Sequence, residues 1–164
     1  MERNLKTMFE HAINIEMAAA KIYHLYEKMF HHVPDVAGLW KSMAHDEINH
    51  AEILKESFES LPQSVLNTTP GQLMWQNLAI VNQALEKYIS ADIDSLDDAL
   101  EIAHQMESSE INAIFKFLTL EHFSNSVRES FIESEIMDHQ KKLVDFSMVY
   151  SSIAMRESIK PLRK

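Results

Sequence analysis

Between Asp35 and Leu61 the residues Trp40, Met43, Glu47, His50, Leu54, Phe58 and Leu61 recur at steps of three and four. That spacing is one face of a long amphipathic helix. Every member is apolar except Glu47 and His50, which sit in the middle. A carboxylate buried without a partner is costly, so the fold must bring something to meet it. A metal ion is the simplest such partner, because a carboxylate oxygen and an imidazole nitrogen at i and i+3 reach one point in space. Glu-Xaa-Xaa-His alone is common by chance and reads as a surface pair where its flanks are polar. Here the flanks are apolar, so the rest of the chain must supply partners at the same depth.

The composition restricts the fold to long helices. Only 2 glycines and 4 prolines occur in 164 residues, which argues against a β-sandwich. The length suits a single domain, residues 1–164, with a sizeable core. With 25 acidic against 15 basic residues the net charge is −10, which excludes nucleic acid as a natural partner. The absence of cysteine excludes disulfides, zinc ribbons, rubredoxin-type iron centres and thiol catalysis. The N-terminus has no apolar signal core, and no run approaches the ~18 apolar residues of a membrane span. A cytoplasmic protein with no membrane partner is the expectation. Residues 156–164 are locally basic and read as a short solvated tail.

The same interruption recurs along the chain. A first helix, about residues 4–30, carries Leu5, Phe9, Ala12, Glu16, Ala19, Tyr23, Tyr26 and Phe30 on its stripe, with Glu16 the one charged member. His31-His32-Val33-Pro34 is a short turn, after which Asp35 is expected to cap the second helix. So short a turn makes an antiparallel hairpin. Glu16 and Glu47 lie about sixteen and fifteen residues from its centre, hence at one height. Residues 62–94 form a connection long enough to carry the chain back along the bundle, with a helix striped by Met74, Leu78, Val81, Leu85 and Tyr88. Trp75 is expected against the bundle or a second subunit. Ser95 caps a third helix with Leu96, Leu100, Ala103, Glu107, Glu110, Ile114 and Phe117 on its stripe. After a break at residues 121–125 a fourth helix is expected to run to about Ser158, with Ile132, Glu135, His139, Leu143, Phe146, Tyr150 and Ile153 inward. Counting from residue 121 puts Glu107 opposite Glu135. The fold class is therefore all-α, a four-helix bundle of two antiparallel hairpins joined by a long, partly helical crossover.

These motifs resemble the rubrerythrins of the ferritin-like di-iron carboxylate superfamily. Glu16-Met-Ala-Ala-Ala-Lys-Ile-Tyr23 is similar to that family's E-x-x-A-x-x-x-Y, Glu47-Ile-Asn-His50-Ala51 to its E-x-x-H-A, and Glu107-Ser-Ser-Glu110 to its E-x-x-E. The resemblance covers roughly residues 5–155. It implies a ferritin-like bundle with two iron ions, manganese or zinc being substitutes, held by Glu16, Glu47, His50, Glu107, Glu110, Glu135 and His139. Tyr23 would support a ligand carboxylate. Two features depart from the family: the rubredoxin-type domain is absent, and the fourth helix lacks a clean E-x-x-H. Asp138 has the family's spacing from Glu135 but shares a face with Lys142 and Asp145, so His139 is the preferred ligand and Asp138 the alternative. Among the other histidines, His24, His31, His32, His45 and His104 fall off the stripes or in turns, and His122 in the break.

The resemblance implies reduction of hydrogen peroxide, with dioxygen as another oxidant. Electrons would come from an external donor such as a rubredoxin-type protein, and the protein would form a homodimer. Ferritin-like ferrous iron oxidation or storage is the alternative and needs a hollow shell of many subunits. A non-enzymatic helical scaffold is the third reading. A scaffold gains nothing from burying six ionisable groups at one depth.

Overall fold

A computed structural model describes residues 3–109, 111–121 and 126–162. Among them the regular structure is helical: α1 (Leu5–Met29), α2 (Pro34–Ser60), α3 (Gln63–Leu66), α4 (Gln72–Ile89), α5 (Leu96–Glu107), α6 (Ile111–Leu120), α7 (Ser126–Val149) and α8 (Ile153–Ser158). The bundle is ferritin-like: α1 and α2 form one hairpin, and α5–α6 with α7 form the other arms. No helix among the described residues is long and apolar enough to cross a membrane.

The first hairpin follows its stripes closely. Asn4 caps α1 by accepting from Thr7 N at 2.9 Å. Leu5, Phe9, Ala12, Glu16, Ala19, Tyr23, Tyr26 and Phe30 are all buried. The turn closes through Phe30 N to Tyr26 O and Val33 N to Phe30 O, both 2.9 Å. Asp35 is not the cap of α2. Val33 holds that place, with Pro34 in the first turn, where its missing N–H costs nothing. Asp35 sits one residue inside, favoured by the helix dipole rather than by a capping bond.

The crossover is tied down at Leu5 N to Thr68 O, 2.8 Å, and α4 lays Leu78, Val81 and Leu85 into the core. Trp75 packs against the bundle. Ser95 caps α5, accepting from Asp98 N at 3.3 Å.

The second half departs from the expected helices in three places. The third arm is interrupted after Glu107: Ser108 Oγ donates to His104 O at 2.7 Å, and Asn112 Nδ2 donates to the Glu107 carbonyl at 2.7 Å. A serine hydroxyl that bonds back to the preceding turn competes with the helix ladder, as Ser108 does here, while the Ser109 hydroxyl accepts from Ile111 N at 3.3 Å. In α7 the buried residues are Ile132, Ile136, His139 and Leu143, so Ile136 rather than Glu135 completes the inward stripe. The fourth helix also ends at Val149, not near Ser158. Arg156 bridges this end, pairing with Asp97 and donating to Tyr150 O at 2.8 Å. The basic tail exposes Glu157, Ser158, Lys160 and Leu162 but is anchored to the bundle rather than free along its described part. Leu96 N donates to Ile159 O at 2.9 Å, Leu162 N to Met29 O at 2.8 Å, and Pro161 is buried.

Candidate metal centre

Glu16 of α1, Glu47 and His50 of α2, Glu107 of α5 and His139 of α7 are all buried, with 2–7 % of each exposed. They meet at mid-bundle. His139 Nδ1 donates to Glu107 Oε2 at 3.0 Å, and the Tyr23 hydroxyl donates to Glu107 Oε1 at 2.7 Å. His139 Nε2 faces Glu47 Oε1 at 3.9 Å, while Glu47 Oε2 lies 3.3 Å from His50 Nδ1. The two imidazoles meet edge to face with centroids 5.4 Å apart. Apolar walls close the site. Phe115 packs on His50 at 4.7 Å, and Trp40 stacks on Tyr23 at 5.9 Å with its plane tilted by only 10°.

The charges in this pocket are far from independent. Burial, then the nearby Glu47 carboxylate, pushes Glu16 well above the ordinary carboxylate range. Burial and the charge of Glu107 raise Glu47 to about 7. Burial works against ionising Glu107, but hydrogen bonds from His139 and Tyr23 and the His139 charge outweigh it and hold Glu107 below its usual value. Burial likewise opposes charging His139. The bond to Glu107 and the charges of Glu47, Glu107 and Asp46 overcome it and lift His139 to about 9. His50 is pushed down by burial and stays neutral at pH 7.

Three buried polar atoms in this group have no hydrogen-bond partner: Glu16 Oε2, His50 Nε2 and His139 Nε2. Fully buried unpaired acceptors and donors are rare in native structures, and three in one pocket need an explanation. A cation supplies it. Glu47, His50 and His139 each offer one ligand atom, and these atoms lie within 4.8 Å of one another. Carboxylate oxygen with imidazole nitrogen suits iron, manganese or zinc. The residues present therefore fit a metal centre.

The residues singled out from the sequence fall into three groups. Glu16, Glu47, His50, Glu107 and His139 come together, with Tyr23 bonded to Glu107. Glu135 is half-buried on the flank of α7, lining a cavity beside His139 and near enough for its charge to act on His50. Asp138 is exposed in that same cavity. Glu110 lies outside the described residues, as does His122. Glu107 meets His139 directly rather than Glu135, one turn beyond the expected pairing, because the depth count assumed an unbroken third arm. Asp46 was not foreseen. Its Oδ2 lies 3.9 Å from His139 Nε2 and accepts a hydrogen bond from Lys142 Nζ. Off the apolar stripe, it carries no periodic signal, and only its place beside Glu47 hints at the site.

Helical arms that bring carboxylates and imidazoles together at mid-depth define a ferritin-like bundle of the carboxylate–histidine type. The sequence model of the family described as Rubrerythrin matches residues 8–133, most of the chain. The chain belongs to the rubrerythrin family, whose members generally bind a pair of iron ions. The match ends before His139, so the last arm's contribution rests on the geometry. No curated protein and no solved structure gave a match.

Proposed function

We propose that this protein is a di-iron protein that reduces hydrogen peroxide to water with electrons from an external donor. The observation that carries this reading is the convergence of Glu16 Oε2, His50 Nε2 and His139 Nε2, all buried and unpartnered, in one pocket. Each molecule of peroxide takes up two electrons and two protons and leaves as two waters. Bound iron would supply the reversible electron changes that this needs.

The chain's own residues have separable tasks. Glu16, Glu47, His50 and His139 would hold the metal ions, Glu135 would close the site from the flank, and Glu110 would add a further carboxylate. Glu107 accepts the Nδ1–H of His139, which fixes the ring and leaves Nε2 aimed at Glu47. Tyr23 holds the other Glu107 oxygen. Phe115, Trp40 and the buried aliphatic residues exclude water, which strengthens every charge interaction inside. None of the 164 residues is a cysteine, so no cysteine-held iron centre among them supplies the electrons.

The test is metal analysis of the purified protein followed by peroxide consumption. The expected result is iron bound within the bundle and peroxide loss matched by oxidation of an added reductant. Peroxide loss no faster than that caused by free iron would refute the peroxidase reading. An absence of bound iron, manganese and zinc after loading would refute the metal centre itself.

A further inference from the structure

A cavity of about 330 Å³ opens on the surface between α2 and α7, lined by Asp46, Glu135, Asp138, His139, Lys141, Lys142 and Asp145. Its mouth carries the exposed Asp138 and Asp145 and its floor is His139, of which 2 % is exposed. The buried Nε2 of His139 has no hydrogen-bond partner, and this residue is common to the cavity and to the buried cluster. Four other cavities along the described residues take no lining residue from the cluster. Asp46 joins the two regions: its Oδ2 faces His139 Nε2 at 3.9 Å and accepts the Lys142 ammonium. Lys142 remains about a third exposed while Asp46 is 18 % exposed, so the pair sits partly buried in the cavity wall.

We propose that this cavity is the route by which a divalent cation reaches the buried cluster, with the Lys142–Asp46 ion pair as its latch. The proposal rests on the metal-centre reading above and assigns that site its access path. Four carboxylates against two lysines give the cavity a negative field, and one of the lysines is already engaged by Asp46. A cleft of one charge sign with low-dielectric walls concentrates counter-ions and speeds their association. An arriving cation competes with Lys142 for Asp46. Once Lys142 swings towards solvent, Asp46 can pass the cation to His139 Nε2 and Glu47 Oε1, themselves 3.9 Å apart. Glu16, Glu47 and His50 line none of these cavities, whereas His139 of the same cluster lines this one.

The probe is cobalt(II), whose visible absorption reports carboxylate–imidazole ligation, mixed in stopped flow with metal-free full-length protein. Asp145→Lys should slow association about tenfold at low salt. The deficit should shrink at ~1 M salt, where screening acts over only ~3 Å. Lys142→Met should speed association, because it unlatches Asp46. Glu10→Lys, which makes the same charge change on an exposed part of α1, should leave the rate within about twofold, since long-range effects between exposed charges are screened. All variants should reach the wild-type cobalt content per chain. Unchanged rates in Asp145→Lys and Lys142→Met, or equal slowing by Glu10→Lys, would overturn the route. A lower final cobalt content in Asp145→Lys would make Asp145 a ligand and overturn its role as a mouth residue. Failure of wild-type protein to bind cobalt would remove the metal centre and the route together, whereas normal binding at unchanged rates removes the route alone.

Discussion

Two buried glutamates in one cluster have opposite roles in the metal-free protein. Glu107 has both oxygens bonded, to Tyr23 and His139, and its charge is stabilised. Glu47 is raised to about 7 chiefly by burial and by Glu107. Leucine at these positions should therefore give opposite results. Glu47→Leu restores the apolar stripe of α2, while His139 keeps Glu107 as its partner. Its metal-free form should be as stable as the parent or more so, and it should lose metal and turnover. Glu107→Leu strands a buried imidazolium and the Tyr23 hydroxyl, and should cost about 3–5 kcal/mol. Urea denaturation of both metal-free variants makes the comparison. A large loss in Glu47→Leu would mean that this residue belongs to a structural ion pair.

At the scale of elements, the interruption between α5 and α6 controls how Glu107 is presented. Its freed carbonyl accepts from Asn112 Nδ2 at 2.7 Å and from Gln140 Nε2 at 3.3 Å, so two arms meet at the backbone of a cluster residue. One donor can satisfy a carbonyl, though two strengthen its hold. Asn112→Ala should cost about 1 kcal/mol, the net worth of an ordinary hydrogen bond. Gln140→Ala should cost less. The double variant should cost more than their sum, because only then is the carbonyl left bare. Additive losses in a double-mutant cycle would show that the two amides act independently. The cap of α5 offers a separate check: Ser95→Ala should cost about 1 kcal/mol, read as a lowered midpoint in the same denaturation.

For the whole molecule, protons and metal compete for the same cavity. His139 has an ordinary value of 6.5 and is lifted to about 9 in the fold, so between pH 7 and 9 the folded chain holds a proton that the unfolded chain has lost. Its stabilising contribution is full below 6.5 and disappears as pH rises through 9. Glu47 acts with the same sign from 4.5 to about 7. The lowered values of His50 and Glu107 work in the opposite sense, but below 6.5. The Tm of the metal-free protein should therefore fall from pH 7 to 9. Metal binds the deprotonated ligands, so the rise in Tm on adding zinc should grow over the same range. Scanning calorimetry with and without zinc measures both. A metal-free Tm that held level to pH 9 would mean that His139 is neutral in the fold. Assembly separates peroxide reduction from iron storage: sedimentation should give a homodimer, whereas a hollow shell of many subunits would favour storage.

The amino-acid order alone determined the first hairpin and the depth of its charged residues. Steps of three and four, a four-residue turn and almost no glycine leave little freedom, so Glu16, Glu47 and His50 were legible together. The same stripes placed Glu107 and His139 in the core and left Asp138 outside it. What the sequence could not decide lies where an element's geometry depends on its neighbours. Where the third arm breaks, the Ser108 hydroxyl bonds back to His104 O, and Glu107 at that break lies against His139. In α7, apolar residues occur around the whole circumference, with Phe131, Met137, Val144 and Met148 exposed, so periodicity could not choose between Glu135 and Ile136 for the inward place. Packing against α2 and α5 made that choice. Asp46 became part of the site for the same reason: a polar residue beside a helix seam acquires meaning only when another helix brings His139 and Lys142 to face it.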